Sequence, residues 1–314
     1  MIRIGVIRGG TNKNDYQKSI SNGSILLRAL RSHDEYQEHD ILIDQDENWH
    51  LDGVPILPSA LIHKIDIAIL TIKYPLLNNG YVENILKSLG IKMVSIPKES
   101  LRGYIPESLK EKISNIGIHL PRKLEIDFND PNLANNIHKT FSPPYSFVTY
   151  KDNGELHQAL HFNTIQELFD NLEENEINTD HKYFIEEYIH GDQWAVTVIP
   201  NFRGFAWYSL HPVYMDTIKP AFRSNAKLSH HAQSKFAGPN VKNSLDLYSK
   251  LIAGSLKPAK PITLIFRDNQ IQRPTLMHIL ERHLLEDDEL LQNALKESVI
   301  TEGEYLAHIL QNYN

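Results

Sequence analysis

The 314-residue chain contains no cysteine, which excludes disulfides, thiolate zinc sites and a cysteine nucleophile. It has no apolar run near the ~18 residues of a membrane span, so none is expected. Positive charge is not in excess. There are 32 Lys and Arg against 39 Asp and Glu, a net charge of −7 with histidine neutral, which argues against nucleic acid as a partner because that needs a basic face. Internal repeats and low-complexity tracts are lacking. The start, Met1-Ile2-Arg3-Ile4-Gly5-Val6-Ile7-Arg8, has neither the long apolar centre nor the small-residue cleavage site of a secretory signal, and a cytoplasmic protein is expected. What is present is ordinary: 41% of residues are hydrophobic, enough for a sizeable core. The length is more than one small domain, at ~100–200 residues each.

The first hundred residues alternate between strand and helix. Ile2, Ile4 and Val6 are apolar at alternate positions and stop at Gly9-Gly10, a strand followed by a tight loop. Ile20, Ile25, Leu26, Leu27 and Leu30 have helical spacing. Asp40–Asp44, Ile65–Ile72 and Ile91–Ser95 read as strands, Val82–Leu89 as a helix, and Asp52-Gly53 as a hairpin turn. Such alternation predicts a parallel sheet with helices on both faces. Further on, Pro106–Ile116 reads as a helix with proline in its first turn. Tyr145–Tyr150, Phe184–Ile189, Ala195–Ile199, Leu264–Phe266 and Thr275–Leu280 read as strands. Capping boxes at Thr164–Glu167 and Thr301–Glu304 open two helices.

Gly9-Gly10 followed by Ser19–Gly23, the Asp40–Pro55 stretch, Phe184–Gly191, Asn201–Gly204, Ala226-Lys227 and Leu290–Leu295 together resemble the D-alanine–D-alanine ligases of the ATP-grasp superfamily. The resemblance runs over nearly the whole chain. It implies an α/β ATP-grasp fold with a Rossmann-like preATP-grasp domain (1–97), a small central lid subdomain (98–180) and a C-terminal subdomain (181–314). It also implies ATP between the last two, and two magnesium ions assisting carboxylate phosphorylation and amine attack.

Few of the family's reactive groups have matches. Asp15 is the carboxylate nearest to the place of the glutamate that anchors the first D-alanine; it is either that anchor or a solvated loop residue. The two phosphate-gripping lysines fall on Pro106 and Thr149, and the phosphate loop becomes Gly154–Gln158, where Glu155 would repel a triphosphate. Lys151 either substitutes for a lost lysine or is a solvated turn residue. The adenine hinge is better kept: Glu186 matches the adenine-contacting glutamate, Tyr188 and Ile189 would line the ring edge, and Gln193 takes the place of the ribose-binding carboxylate. In the lid loop, Lys227 is retained but the neighbouring tyrosine is Leu228.

The family's late-strand arginine and aspartate fall on Pro261 and Thr263. The Glu-x-Asn that ligates both ions falls on His278-Ile279-Leu280 by ungapped counting, or on Glu281 and His283 with a gap. Asp268 is expected in a turn, facing solvent. Mg²⁺ requires oxygen ligands, so its binding as in the family is not expected, whereas ATP remains a possible ligand. Three functions follow from the resemblance. One is a catalytically stripped ligase fold with a binding or scaffold role. The second is an active ATP- and Mg-dependent ligase with relocated ligands. The third is a nucleotide sensor without turnover. A homodimer is expected in each, with a small molecule or protein as a further partner.

Overall fold

The computed structural model describes the chain except residues 12, 73–79, 95–104, 106, 152–155, 175–180, 217–230, 233–236, 269–273, 282–288 and 312–314. It begins with β1 (Ile2–Gly9), α1 (Lys13–Arg31), β2 (Tyr36–Ile43), β3 (Trp49–Leu51), β4 (Val54–Ile56), β5 (Ile67–Leu70), α2 (Tyr81–Ser88) and β6 (Lys92–Val94). These strands form a sheet in the order β4-β3-β2-β1-β5-β6. The four strands β2-β1-β5-β6 run parallel, as the strand–helix alternation predicts, and β3 and β4 add an antiparallel hairpin. Its turn falls on Asp52 and Gly53, both at positive φ, which suits an Asp-Gly pair.

Helix α1 starts seven residues before the apolar spacing begins at Ile20, because Lys13–Lys18 are polar residues that show no apolar period although they extend the helix. The loop between β1 and α1 is fastened by short polar contacts. Ser19 Oγ accepts from the Gly9 amide at 2.9 Å, and Thr71 Oγ1 donates to the carbonyls of Ile7 and Ser19. Inside, Ile7, Ile41, Ile43, Leu61, Leu70 and Val82 form an apolar core.

The chain continues with α3 (Glu107–Asn115), β7 (Lys123–Glu125), α4 (Leu133–Thr140), β8 (Tyr145–Lys151), β9 (Leu156–Phe162), α5 (Ile165–Glu174) and β10 (His181–Glu187). Four of these strands make an antiparallel sheet in the order β7-β10-β8-β9. Thr164 caps α5, its Oγ1 accepting from the Glu167 amide, while the Glu167 side chain accepts from the Asn163 amide, one residue before the cap. Next come β11 (Asp192–Phe202), β12 (Phe205–Ser209), β13 (Val213–Asp216), β14 (His231–Ala232), α6 (Pro239–Leu256), β15 (Ile262–Asp268) and β16 (Thr275–Glu281). They build a sheet ordered β14-β13-β11-β15-β16, with β12 also on β11. Trp194, Val196, Val198, Ile262, Leu264 and Phe266 project from one face of it into a core shared with Leu245 and Ile252 of α6. That helix has proline in its first turn, which is favourable there.

The chain closes with α7 (Glu289–Glu297) and α8 (Glu302–Gln311). Thr301 caps α8 through the Glu304 amide. By contacts the chain divides into two compact units, Met1–Lys98 with His283–Asn314, and Glu99–Arg282. In the first, α8 lies on α1: Arg28 pairs with Glu302 at 3.0 Å, and Gly303 is pressed against Ser32 and His33.

Gly9 has φ +97, and a Cβ there would run into the Ile43 carbonyl oxygen. Both the left-handed backbone and the clash with main chain oppose any side chain. Gly9→Ala is expected to destabilise the protein by at least ~2 kcal/mol, measured by chemical denaturation; a loss below half of that would contradict this account.

Candidate functional site

Strand alternation makes the site. In β10, Ile185 faces a core with Phe147, Tyr145, Phe162 and Leu168, so Glu186, one residue on, must face the other way. Residues directly opposite each other in antiparallel strands share a face. Glu186 stands opposite Lys123 on one side and Ser146 on the other, and Ser146 stands opposite His161. Lys123, Glu186, Ser146 and His161 therefore form one polar row across all four strands of the β7-β10-β8-β9 sheet.

Glu186 is 3% exposed, and Lys123 Nζ lies 3.0 Å from its Oε1. Burial pushes the Glu186 carboxyl up and outweighs the downward pull of Lys123, Arg267 and Lys110, so its pKa stays raised. Burial pushes the Lys123 ammonium down, but Glu186 and Tyr150 outweigh it and leave its pKa raised. A lysine so held stays protonated at neutral pH. Lys123 also donates to the Tyr150 hydroxyl at 3.0 Å and lies over that ring. At the far end of the row, Ser146 Oγ and His161 Nδ1 are hydrogen-bonded at 2.9 Å. Burial, with the Arg267 guanidinium adding to it, pushes the His161 imidazole down to about 4.

Beyond β10, Tyr188 meets His161 edge-on at 5.0 Å and His190 at 4.7 Å. The Arg267 guanidinium lies 5.5 Å over the Tyr188 ring and donates to the Ile189 carbonyl at 2.6 Å. Arg267 stands on β15 opposite Gln193 of β11, which is 8% exposed. Thus four of the sequence-derived candidates, Glu186, Tyr188, Ile189 and Gln193, belong to one locality together with Lys123, Tyr150, Ser146, His161 and Arg267. The last five are additions from the structure. Their one sequence signal is the alternation itself, which becomes informative only after register assigns faces.

The other candidates have different places. Pro106, Glu155, Lys227, Leu228 and His283 lie outside the described residues, as do the side chains of Asp15 in α1, Lys151 in β8 and Glu281 in β16. Thr149 stands opposite Tyr183, on the face away from Glu186, and is 1% exposed; Val148 and Tyr150 occupy the Glu186 face. Asp268 is not solvent-facing: it is 5% exposed and ends β15 opposite Asp192. The strand runs two residues beyond the apolar triplet Leu264–Phe266, so Asp268 belongs to the sheet and not to the turn.

On the six-stranded sheet, the face that carries Gln193 and Arg267 continues through Ile265 and His278 to Thr263 and Leu280. Thr263 Oγ1 is hydrogen-bonded to Thr197 Oγ1 at 2.7 Å, both buried. Pro261 is buried just before β15, and Glu281 stands opposite Ile262 in register. Mg²⁺ takes carboxylates and water oxygens at near-ideal octahedral geometry. The side chains described on this face supply hydroxyls, an imidazole, an amide, a guanidinium and hydrocarbon, and among the described residues no group of three His, Asp or Glu gathers. They do not fit a magnesium pair.

The His161 geometry has a consequence for acid stability. Unfolded, its imidazole protonates near 6.5; folded, near 4. Between those values the unfolded chain binds the extra proton, so stability falls as pH drops from 6.5 towards 4 and the contribution is complete above 6.5. The difference between wild type and His161→Gln in denaturation free energy is expected to shrink by up to ~3 kcal/mol over that interval. A difference independent of pH would show that His161 is not held neutral.

No protein-family model matches the chain, and no curated protein matches it in sequence. Solved structures do. The VanG D-Ala:D-Ser ligase from Enterococcus faecalis is 13% identical with a TM-score of 0.66, over 100% of this chain and 99% of that one. D-alanyl-alanine synthetase A from Vibrio cholerae is 13% identical with a TM-score of 0.66, over 99% and 98%. D-alanine–D-alanine ligase from Bacillus anthracis, complexed with ATP, is 19% identical with a TM-score of 0.63, over 100% and 97%. From end to end, this chain has the α/β ATP-grasp fold of the D-alanine–D-alanine ligases.

Proposed function

We propose that this protein binds an adenine nucleotide at the Glu186 hinge and does not carry out metal-assisted ligation. The observation that carries the reading is the composition of the β15–β16 face beside Arg267. By the family resemblance, Thr263 takes the place of the aspartate and His278 and Leu280 that of the Glu-x-Asn, and the buried Thr197–Thr263 hydrogen bond makes the neutrality of Thr263 part of the packing. The hinge, by contrast, keeps a buried carboxylate, an aromatic ring and Gln193 within one locality. An adenosine group fits it: Glu186 accepts from an amino group, the Tyr188–Ile189 segment edges the base, and Gln193 offers an amide to ribose. ATP complexed to the Bacillus anthracis ligase supports the choice of nucleotide.

No helix among the described residues is long and apolar enough to cross a membrane. A cytoplasmic protein that self-associates as a homodimer completes the proposal. Support for pairing comes from the edge strand β4 and the turn after it, where Val54 and Leu57 are 62% and 75% exposed.

Nucleotide that binds only the folded state stabilises it by mass action, about 2.7 kcal/mol at a hundredfold excess over Kd. ATP is therefore expected to raise Tm equally in EDTA and in excess Mg²⁺, with no ADP released on adding D-alanine. Magnesium-dependent ADP release with D-alanine would overturn the silent reading and favour an active ligase with relocated ligands. Absence of any shift with ATP would overturn nucleotide binding and leave a scaffold.

A further inference from the structure

A carboxylate has about four acceptor sites and, when ionised, no donor. Glu186 places its carboxylate on a sheet face at 3% exposure. Lys123 is its one ion-pair partner among the described residues, and Oε1 gains charge compensation from it without full hydrogen-bond geometry. The pair is therefore electrically closed but short of donors. A buried group in that condition favours any ligand that brings one.

The neighbours restrict what kind of ligand this is. Lys123 cannot swing away freely: its ammonium also donates to Tyr150, which is 1% exposed, and lies 5.1 Å over the centroid of that ring. The next position in the row, Ser146, is already hydrogen-bonded to His161. Arg267 is anchored on Ile189 and stacked on Tyr188. The free capacity of the row is thus acceptor capacity on Glu186, held there by a cation that the neighbouring strand β7 supplies.

We propose that Lys123 is the positioning residue that sets base selectivity: by fixing Glu186 as an ionised acceptor, it makes the hinge choose a 6-aminopurine over a 6-oxopurine. This rests on nucleotide binding at the hinge. An exocyclic amino group donates to the carboxylate, whereas an exocyclic oxygen in the same place would set acceptor against acceptor in a buried setting. Without Lys123, the buried carboxyl takes up a proton and becomes donor as well as acceptor, and the distinction between the two bases fades.

The test compares AMP with IMP by calorimetry and thermal shift on the full chain. Wild type is expected to bind AMP roughly 10- to 100-fold more tightly than IMP. Lys123→Met should bring that ratio to within about threefold, while Lys123→Arg, which keeps the charge, should restore most of it. If Lys123→Met does not fold, Lys123→Gln, which keeps a donor but not the charge, should lower the ratio likewise. Equal binding of AMP and IMP by wild type would overturn the selectivity proposal while leaving nucleotide binding intact. So would an unchanged ratio in whichever neutral variant folds. If neither nucleotide binds wild type, both proposals fail together. A merely structural lysine would change stability in all these variants but not the AMP-to-IMP ratio.

Discussion

An ammonium 3.0 Å from a carboxylate on a buried sheet face is the interaction on which the hinge depends. A lone carboxylate taken out of water costs several kcal/mol, and the β10 alternation compels Glu186 to be on that face because Ile185 must be in the core. Lys123 resolves the conflict from β7, the strand that register places directly beside it. Tyr150 supports the ammonium from β8, so three strands contribute to one charge pair. Such a pair adds little net stability compared with apolar packing. What it does is hold a carboxyl group in one orientation against an ammonium in an otherwise dry region.

The two sheets of the second unit treat polarity in opposite ways. The four-stranded sheet carries polar side chains along a complete cross-strand row, from the Lys123 ammonium to the neutral His161 imidazole. The six-stranded sheet, on the face that continues from Arg267, descends into a threonine pair and aliphatic side chains. A phosphoryl-transfer site needs the reverse emphasis, because developing charge on phosphate has to be met by metal and cations. Among the described residues, the buried ion pair lies on the four-stranded sheet, and the threonine pair with its aliphatic neighbours lies on the β15–β16 face.

Much of the architecture was legible in sequence because its periods are clean. The β1 strand, the Asp52-Gly53 turn and the helix caps at Thr164 and Thr301 each rest on a local rule, and each is present. Residues Glu186, Tyr188, Ile189 and Gln193 were legible as a group only through family resemblance. Lys123 was not: Lys-Leu-Glu reads as a polar surface strand, and nothing local reveals that its lysine meets Glu186, 63 positions away. Arg267 and His161 were hidden for the same reason, since their significance arises from pairing between distant strands. Asp268 was misread because hydrophobicity stops at Phe266 while the backbone ladder does not. Helix α6 escaped notice because glycine and serine interrupt its apolar period near the end, at Gly254 and Ser255.

Arg267 reaches from β15 to the carbonyl of Ile189, and Gly191, at φ 127, follows two residues later. The short connection from β10 to β11 is thus bridged by a side chain as well as by the peptide backbone, and Tyr188 touches both the His161 imidazole and the Arg267 guanidinium. Arg267 therefore acts as a rivet: it ties the end of one sheet to a strand of the next at a place where the main chain alone would supply a single thread.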